Sequence, residues 1–110
     1  MIRIEAVWLA TALLDMRCGM DTALARVVMV FGEARVHHAY LFANARANRM
    51  KVFVHDGLGL WLCARRLHQG RFVWPTNGAA HAAMSAEQLA ALVVGLPWQR
   101  LGDAGVIRIV

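Results

Sequence analysis

The stretch "AYLFANARANRMKVFVHDGLGLWLCARRL", residues 39–67, decides the fold. It holds three runs rich in β-branched and aromatic residues, 39–44, 49–56 and 58–67, each long enough for a strand. Asp56-Gly57 joins the last two. That dipeptide favours a tight type I′ turn, because both central positions of such a turn need positive φ. A two-residue turn pairs His55 with Leu58, Phe53 with Leu60, Lys51 with Leu62 and Arg49 with Ala64. Directly opposed residues point the same way, so these side chains form one face, half leucine and half basic. The other face carries Met50, Val52, Val54, Trp61, Cys63 and, at the open end, Arg65. It reads as the core face.

Upstream, residues 2–9 read as a first strand and "LLDMRCGMD" (13–21) as a loop, with Asp21 a candidate helix cap. Leu24, Val27, Val28 and Phe31 then follow the i, i+3, i+4, i+7 spacing of an amphipathic helix, and Gly32 is a natural stop. Downstream, "GRFVWP" (70–75) reads as a short strand ended by Pro75, and "TNGAAHAA" (76–83) as a loop. Ser85-Ala86-Glu87-Gln88 fits a capping box, in which the hydroxyl accepts a backbone amide and the glutamine reaches back. Leu89, Leu92, Val93 and Leu96 give the second helix its apolar stripe, and Gly95 or Pro97 ends it. "GVIRIV" (105–110) reads as a last strand. The class is α+β: a small antiparallel sheet with a central Asp-Gly hairpin, packed by two helices. At 110 residues the whole chain, 1–110, is expected to form a single domain.

Hydrophobic residues make up 59% of the chain, yet no uncharged apolar run approaches the roughly 18 residues that a bilayer span needs. The longest, Ala6–Leu14 and Leu89–Trp98, are too short, and Pro97 interrupts the second. This points to a large core or a buried partner surface rather than a membrane. Glu5 spoils the basic start of an export leader and no small-residue cleavage site follows, so the expected location is cytoplasmic. Cys18 and Cys63 form no CxxC pair and read as buried thiols.

The residue inventory argues against an enzyme. None of His37, His38, His55, His68 and His81 pairs with another His or a Cys at zinc-ligand spacing, and adjacent His37-His38 would point to opposite sides of a strand. They read as surface or turn residues. The only serine, Ser85, is accounted for by its cap, and neither cysteine has an evident histidine partner. Mg²⁺ chemistry needs converging acids. Asp56 belongs to a turn, Asp21 to a cap and Glu87 to a first helical turn, where negative charge is favoured. Only Asp15 is left over. No Gly-rich phosphate loop precedes a helix, and no cofactor or metal is implied.

The net charge of +5 is localised. Residues 44–71 hold Arg46, Arg49, Lys51, Arg65, Arg66 and Arg71 against one acid, Asp56, which accounts for the whole excess. Such a segment creates a local positive field that attracts polyanions. A two-stranded ribbon fits the major groove of DNA, and cations on it neutralise phosphates. Asn44 and Asn48 could add hydrogen bonds to bases or phosphates. The competing reading is a solvated hairpin tip, with Arg65, Arg66 and Arg71 protecting an edge strand.

Several segments together carry a family resemblance: "LDMRCG" (14–19), the stretch 39–67, "QGRFVWP" (69–75) and "EQLAALVVGLPWQR" (87–100). Their order and wording resemble the small accessory protein, often labelled TnpB, of bacterial insertion sequences of the sixty-six family. Asp15, Met16, Arg17 and Gly19 match its first motif, and Arg46, Arg49 and Lys51 its basic segment. Asp56, Gly57 and Gly59 match its hairpin; Arg66, Leu67, Gly70, Arg71, Phe72, Trp74 and Pro75 match its last motif.

The resemblance implies a helper in DNA transposition, with catalytic acids supplied by a separate transposase. DNA is then the expected partner, through Arg46, Arg49, Lys51, Arg65, Arg66 and Arg71. The alternative is an adapter that docks on the transposase or self-associates, through Leu58, Leu60 and Leu62; the Phe72, Trp74 and Pro75 cluster reads first as core or sheet edge and second as a partner-docking patch. Cys18 stands where relatives often have lysine or a small residue, and Ala45 and Ala47 interrupt a segment more continuously basic elsewhere. Both departures lower the positive charge. Within the 14–19 loop, Asp15 is expected to accept amides of its own turn or to pair with Arg17, and Gly19 to supply a positive φ.

Overall fold

Every residue from Ala39 to Ala43 is at most 2% exposed. Side chains alternate between the two faces of a strand, so a strand buried throughout must be covered on both sides. The computed structural model, which describes residues 4–74, 81–93 and 95, supplies those covers. Its elements are β1 (Ala6–Ala10), α1 (Met20–Phe31), β2 (His38–Ala43), β3 (Arg49–His55), β4 (Leu60–Arg66), β5 (His81–Met84) and α2 (Ala86–Val93). The strands form one sheet in the order β4-β3-β2-β1-β5, so the buried strand, β2, is central.

Helix α1 covers one face. Ala23 and Val27 pack there with Ala10, Tyr40, Phe42 and Phe53, and Leu60 and Leu62 join the margin. Phe31 closes this layer with a tilted contact to Tyr40, centroids 4.9 Å apart, and an edge contact to Phe42. Helix α2 and the segment 67–74 cover the other face. Leu92 and Phe72, 0% and 2% exposed, pack against Val7, Leu9, Leu41, Met50 and Val54.

The α+β class holds, but the sheet is mixed. Strands β1 and β2 are parallel, with Val7 beside Ala39 and Leu9 beside Leu41. The connection between them contains α1, and a parallel pair needs a crossover of that kind. The other neighbouring pairs are antiparallel.

The hairpin register differs from the sequence expectation by two residues. His55 pairs with Leu60, Phe53 with Leu62, Lys51 with Ala64 and Arg49 with Arg66. The loop is therefore residues 56–59, not the bare Asp56-Gly57 pair. Asp56 explains this: its Oδ1 accepts the amides of Leu58 and Gly59 at 2.8 Å each, and its own amide donates to the Gly59 carbonyl. Gly57 takes a φ of 91°. A shift of two keeps every side chain on its expected face. Strand β3 buries residues on both faces, Met50 and Val54 on one and Phe53 on the other, whereas Trp61 and Cys63 of β4, read as core, are exposed at the sheet edge.

Other expectations change. Asp21 lies in the first turn of α1, and the cap position is Gly19, with φ −91° and no side-chain cap bond. Val28 is exposed, so the buried stripe of α1 runs through Ala23 and Val27. Gly32 ends the helix at φ 89°, its amide bonded to the Val28 carbonyl. Residues 81–83, read as the end of a loop, belong with Met84 to the edge strand β5, which pairs with β1. Residues 70–74 are not a strand but a packing segment. Cys63 is exposed and Cys18 only half-buried, so neither is a buried thiol. The expected last strand, 105–110, lies outside the described residues. The capping box of α2 forms as read: the Gln88 amide donates to Ser85 Oγ at 3.1 Å and the Ser85 amide to Gln88 Oε1 at 2.8 Å.

Two substitutions separate packing from local capping. Phe72→Ala should cost about 3–5 kcal/mol, because a large side chain leaves a closed layer. Ser85→Ala should cost about 1 kcal/mol. Denaturant melts of both variants check this. A Phe72→Ala protein as stable as the parent would mean that Phe72 is a surface residue.

Candidate nucleic-acid interface

The connection from β2 to β3, residues 44–48, is built around two asparagines. Asn44 Oδ1 accepts the amides of Asn48 at 3.2 Å and Arg49 at 3.1 Å. Asn44 Nδ2 donates to Asn48 Oδ1 at 2.8 Å. The Ala47 amide closes the turn on the Asn44 carbonyl, and Ala47 itself sits in the left-handed region at φ 54°. The outer carbonyls are used as well. Asn48 O accepts the Leu67 amide at 2.9 Å and Ala47 O accepts the Phe72 amide at 2.6 Å. The turn is thereby tied to the exit of β4 and to a residue fixed in the core. Asn44 is committed to this scaffold through its Oδ1 and one Nδ2 hydrogen.

The six cations of residues 44–71 divide into two kinds. Lys51 and Arg65 are used internally. Lys51 Nζ donates to the Cys18 carbonyl at 2.7 Å, holding the loop before α1. Arg65, on the opposite face, donates Nε to the Val93 carbonyl at 2.5 Å in the last turn of α2, where positive charge is favoured. Among the described residues, Arg46, Arg49, Arg66 and Arg71 make no side-chain hydrogen bond or ion pair, and all four are exposed. Arg49 and Arg66 sit directly opposite each other on neighbouring strands. They share the open end of the hairpin with the Asn-locked turn.

Within the loop 14–19, Asp15 and Arg17 are bonded to each other. The Arg17 amide donates to Asp15 Oδ1 at 2.9 Å, and the guanidinium reaches both carboxylate oxygens, Nε to Oδ1 at 3.2 Å and Nη2 to Oδ2 at 3.1 Å. These bonds hold the Asp15 carboxyl below the usual carboxylate value and raise Arg17. Met16 packs against the α1-side core. Gly19 has negative φ, so the expected positive φ is not used there.

At the other end of the hairpin, Trp61 Nε1 donates to Asp56 Oδ2 at 2.6 Å. That bond, followed by the Leu58 and Gly59 amides, lowers the Asp56 pKa. Two histidines have structural roles: His38 Nδ1 accepts the Trp8 indole at 2.9 Å, and His55 Nδ1 accepts the Gly57 amide at 3.0 Å. Among the described residues, no three His, Cys, Asp or Glu side chains converge on a point that could hold a metal ion. Trp74 is half-buried in the α2-side core, its indole donating to the Ala10 carbonyl at 2.7 Å, beside buried Phe72. Pro75 lies outside the described residues.

The fold is thus a small α+β domain with a mixed sheet and, among the described residues, an unpaired arginine cluster at one end. The chain belongs to the IS66 Orf2-like protein family, whose model matches residues 5–103. That family is associated with the transposition of insertion sequences. Two relatives come from Sinorhizobium fredii (strain NBRC 101917 / NGR234). "Uncharacterized protein y4hO" is 36% identical over 94 residues, covering 84% of this chain and 82% of the relative. "Uncharacterized protein y4jC" is 32% identical over 105 residues, covering 93% and 88%. No solved structure matches significantly. Among the described residues no helix is long and apolar enough to cross a membrane.

The lowered Asp56 pKa fixes a pH dependence. The folded value lies below the unfolded one, near 3.9. Its contribution to stability is therefore present above that unfolded value and is lost as pH falls through the folded one. Asp56→Asn should be less stable than the parent at pH 6 and should lose less on going to pH 3. Denaturation midpoints at both pH values measure this, and equal losses in the two proteins would refute it.

Proposed function

We propose that the protein is a non-catalytic accessory factor of DNA transposition that contacts DNA through the basic surface at the open end of the β3–β4 hairpin. One observation carries this reading: Arg46, Arg49, Arg66 and Arg71, exposed and without acid partners among the described residues, gather where the hairpin, the 44–48 turn and the 67–74 segment meet. Guanidinium groups left in water are well suited to phosphate, which they contact in a bidentate fork. The non-catalytic part is supported by the fates of the acids. Asp15 is tied to Arg17, Asp56 to its own loop and Trp61, and Glu87 sits in the first turn of α2. DNA cutting and joining then belong to the element's separate transposase, and the protein acts in the bacterial cytoplasm where the DNA lies.

A second reading is favoured by a specific patch. Leu58 is 100% exposed at the hairpin tip, beside Trp61 at 46% and Val36 at 42%. Gly57 approaches Val36 closely, so the three share one end of the molecule. Leu60 and Leu62, which the sequence grouped with Leu58, pack under α1 instead. The remaining patch suits docking on the transposase or on a second copy.

Binding to duplex DNA should weaken steeply with salt. Removing a cation that neutralises one phosphate should flatten the slope of log K against log salt by about 0.9. Fluorescence anisotropy at several salt concentrations measures this; no binding at low salt, or binding indifferent to salt, would sink the DNA reading. For the adapter, Leu58→Asp should abolish a high-salt pull-down with the transposase while leaving the thermal melt unchanged. Retention of the pull-down would remove the tip patch from consideration.

A further inference from the structure

Most described basic side chains already have a partner. Arg17 pairs with Asp15, Arg35 with Glu33, Arg26 with the Leu13 carbonyl, Lys51 with the Cys18 carbonyl and Arg65 with the Val93 carbonyl. Of the four left over, Arg46, Arg49 and Arg66 line one depression of about 440 Å³, together with Asn44, Ala45 and Asn48. Among the described residues no carboxylate lines it. Arg49 and Arg66 face each other across the strand pair, an arrangement of like charges that destabilises a sheet unless something neutralises it.

The depression also has a neutral donor. Asn48 Oδ1 is taken by Asn44 Nδ2, which turns the Asn48 amide so that its Nδ2 is left as a donor with no protein partner among the described residues. Three guanidinium groups and one amide NH2 group, with no carboxylate among the described lining residues to compete for them, make an anion site. The turn beneath is fixed by the Asn44 bonds and by the Phe72 amide, so the backbone that carries Arg46, Asn48 and Arg49 is set before any ligand arrives.

We infer that Arg46, Arg49, Arg66 and Asn48 form a phosphate clamp, which takes one phosphate group of a nucleic-acid backbone. This deepens the DNA reading, on which the choice of backbone phosphate rests. It also narrows it: Lys51 and Arg65 stand outside the clamp as structural cations, although in sequence they are indistinguishable from its members. Arg71, exposed and next to Phe72, lies outside the lining and contributes only to the general field.

The clamp is tested with inorganic phosphate on the full chain, at constant ionic strength balanced with chloride and followed by ¹H–¹⁵N NMR. The Asn48 side-chain amide and the Nε–H signals of Arg46, Arg49 and Arg66 should shift together and saturate at one common midpoint. Arg17, Arg35 and Arg71 should not follow. Arg49→Gln should move that midpoint at least several-fold upward. Small, non-saturating shifts spread evenly over all arginines would overturn the clamp.

Anisotropy with duplex DNA separates the two claims. Arg49→Gln and Arg66→Gln should each flatten the salt slope by about 0.9, and Lys51→Gln and Arg65→Gln should leave it unchanged. DNA binding whose slope responds to Lys51 or Arg65 but not to Arg49 or Arg66 would overturn the clamp while the DNA reading survives. A saturating phosphate site in a protein that binds no DNA would keep the anion site and overturn the choice of nucleic acid as its source.

Discussion

The burial of β2 on both faces is the constraint from which the rest follows. A central strand with no solvent face needs a layer on each side, and the chain provides α1 on one and α2 with residues 67–74 on the other. Because α1 lies between β1 and β2 in sequence, those two strands run parallel. The hairpin β3–β4 then completes one side of the sheet, with β4 as the edge strand. Its margin is only partly covered, which is why Trp61, Cys63 and Arg65 are exposed on strand β4. Function has to be sought on that uncovered margin and at its two ends.

The two ends differ in character. The tip, residues 56–59, is fixed by an aspartate that accepts two backbone amides and an indole, and it presents Leu58 and Trp61. The open end is fixed by an asparagine that accepts two backbone amides, and it presents arginines. The same device, a short polar side chain capping its own loop, stiffens both. One end offers an apolar contact and the other a cationic one. A helper protein that bridges nucleic acid and a protein partner would need both kinds of surface on one rigid element.

What was legible in the sequence was local. The Ser85–Gln88 box closes within four residues, and the strands of the hairpin follow from composition, so both could be read directly. The register could not. Asp-Gly signals a two-residue turn, and the capping reach of Asp56 to Gly59 lengthened it. Strand β5 was missed because the residues of 81–84, His-Ala-Ala-Met, have weak strand preference and pair only because β1 offers an edge. The division of the cations was hidden for a related reason. Lys51 meets Cys18 across 33 positions and Arg65 meets Val93 across 28, and no pattern of spacing announces such partners. Phe72 read as core or sheet edge ahead of docking, with nothing in the sequence to say which. Only the second layer over the sheet, with the Phe72 amide bonded to Ala47, decides its place.

The central claim is that DNA meets the open end of the hairpin and not its tip. Hydrogen exchange read by mass spectrometry, on the protein alone and saturated with duplex DNA at low salt, tests this most directly. The expected result is slowed exchange in residues 44–49 and 66–71 on binding, with the 56–61 loop unchanged. Protection centred on 56–61, with none at 44–49, would contradict it.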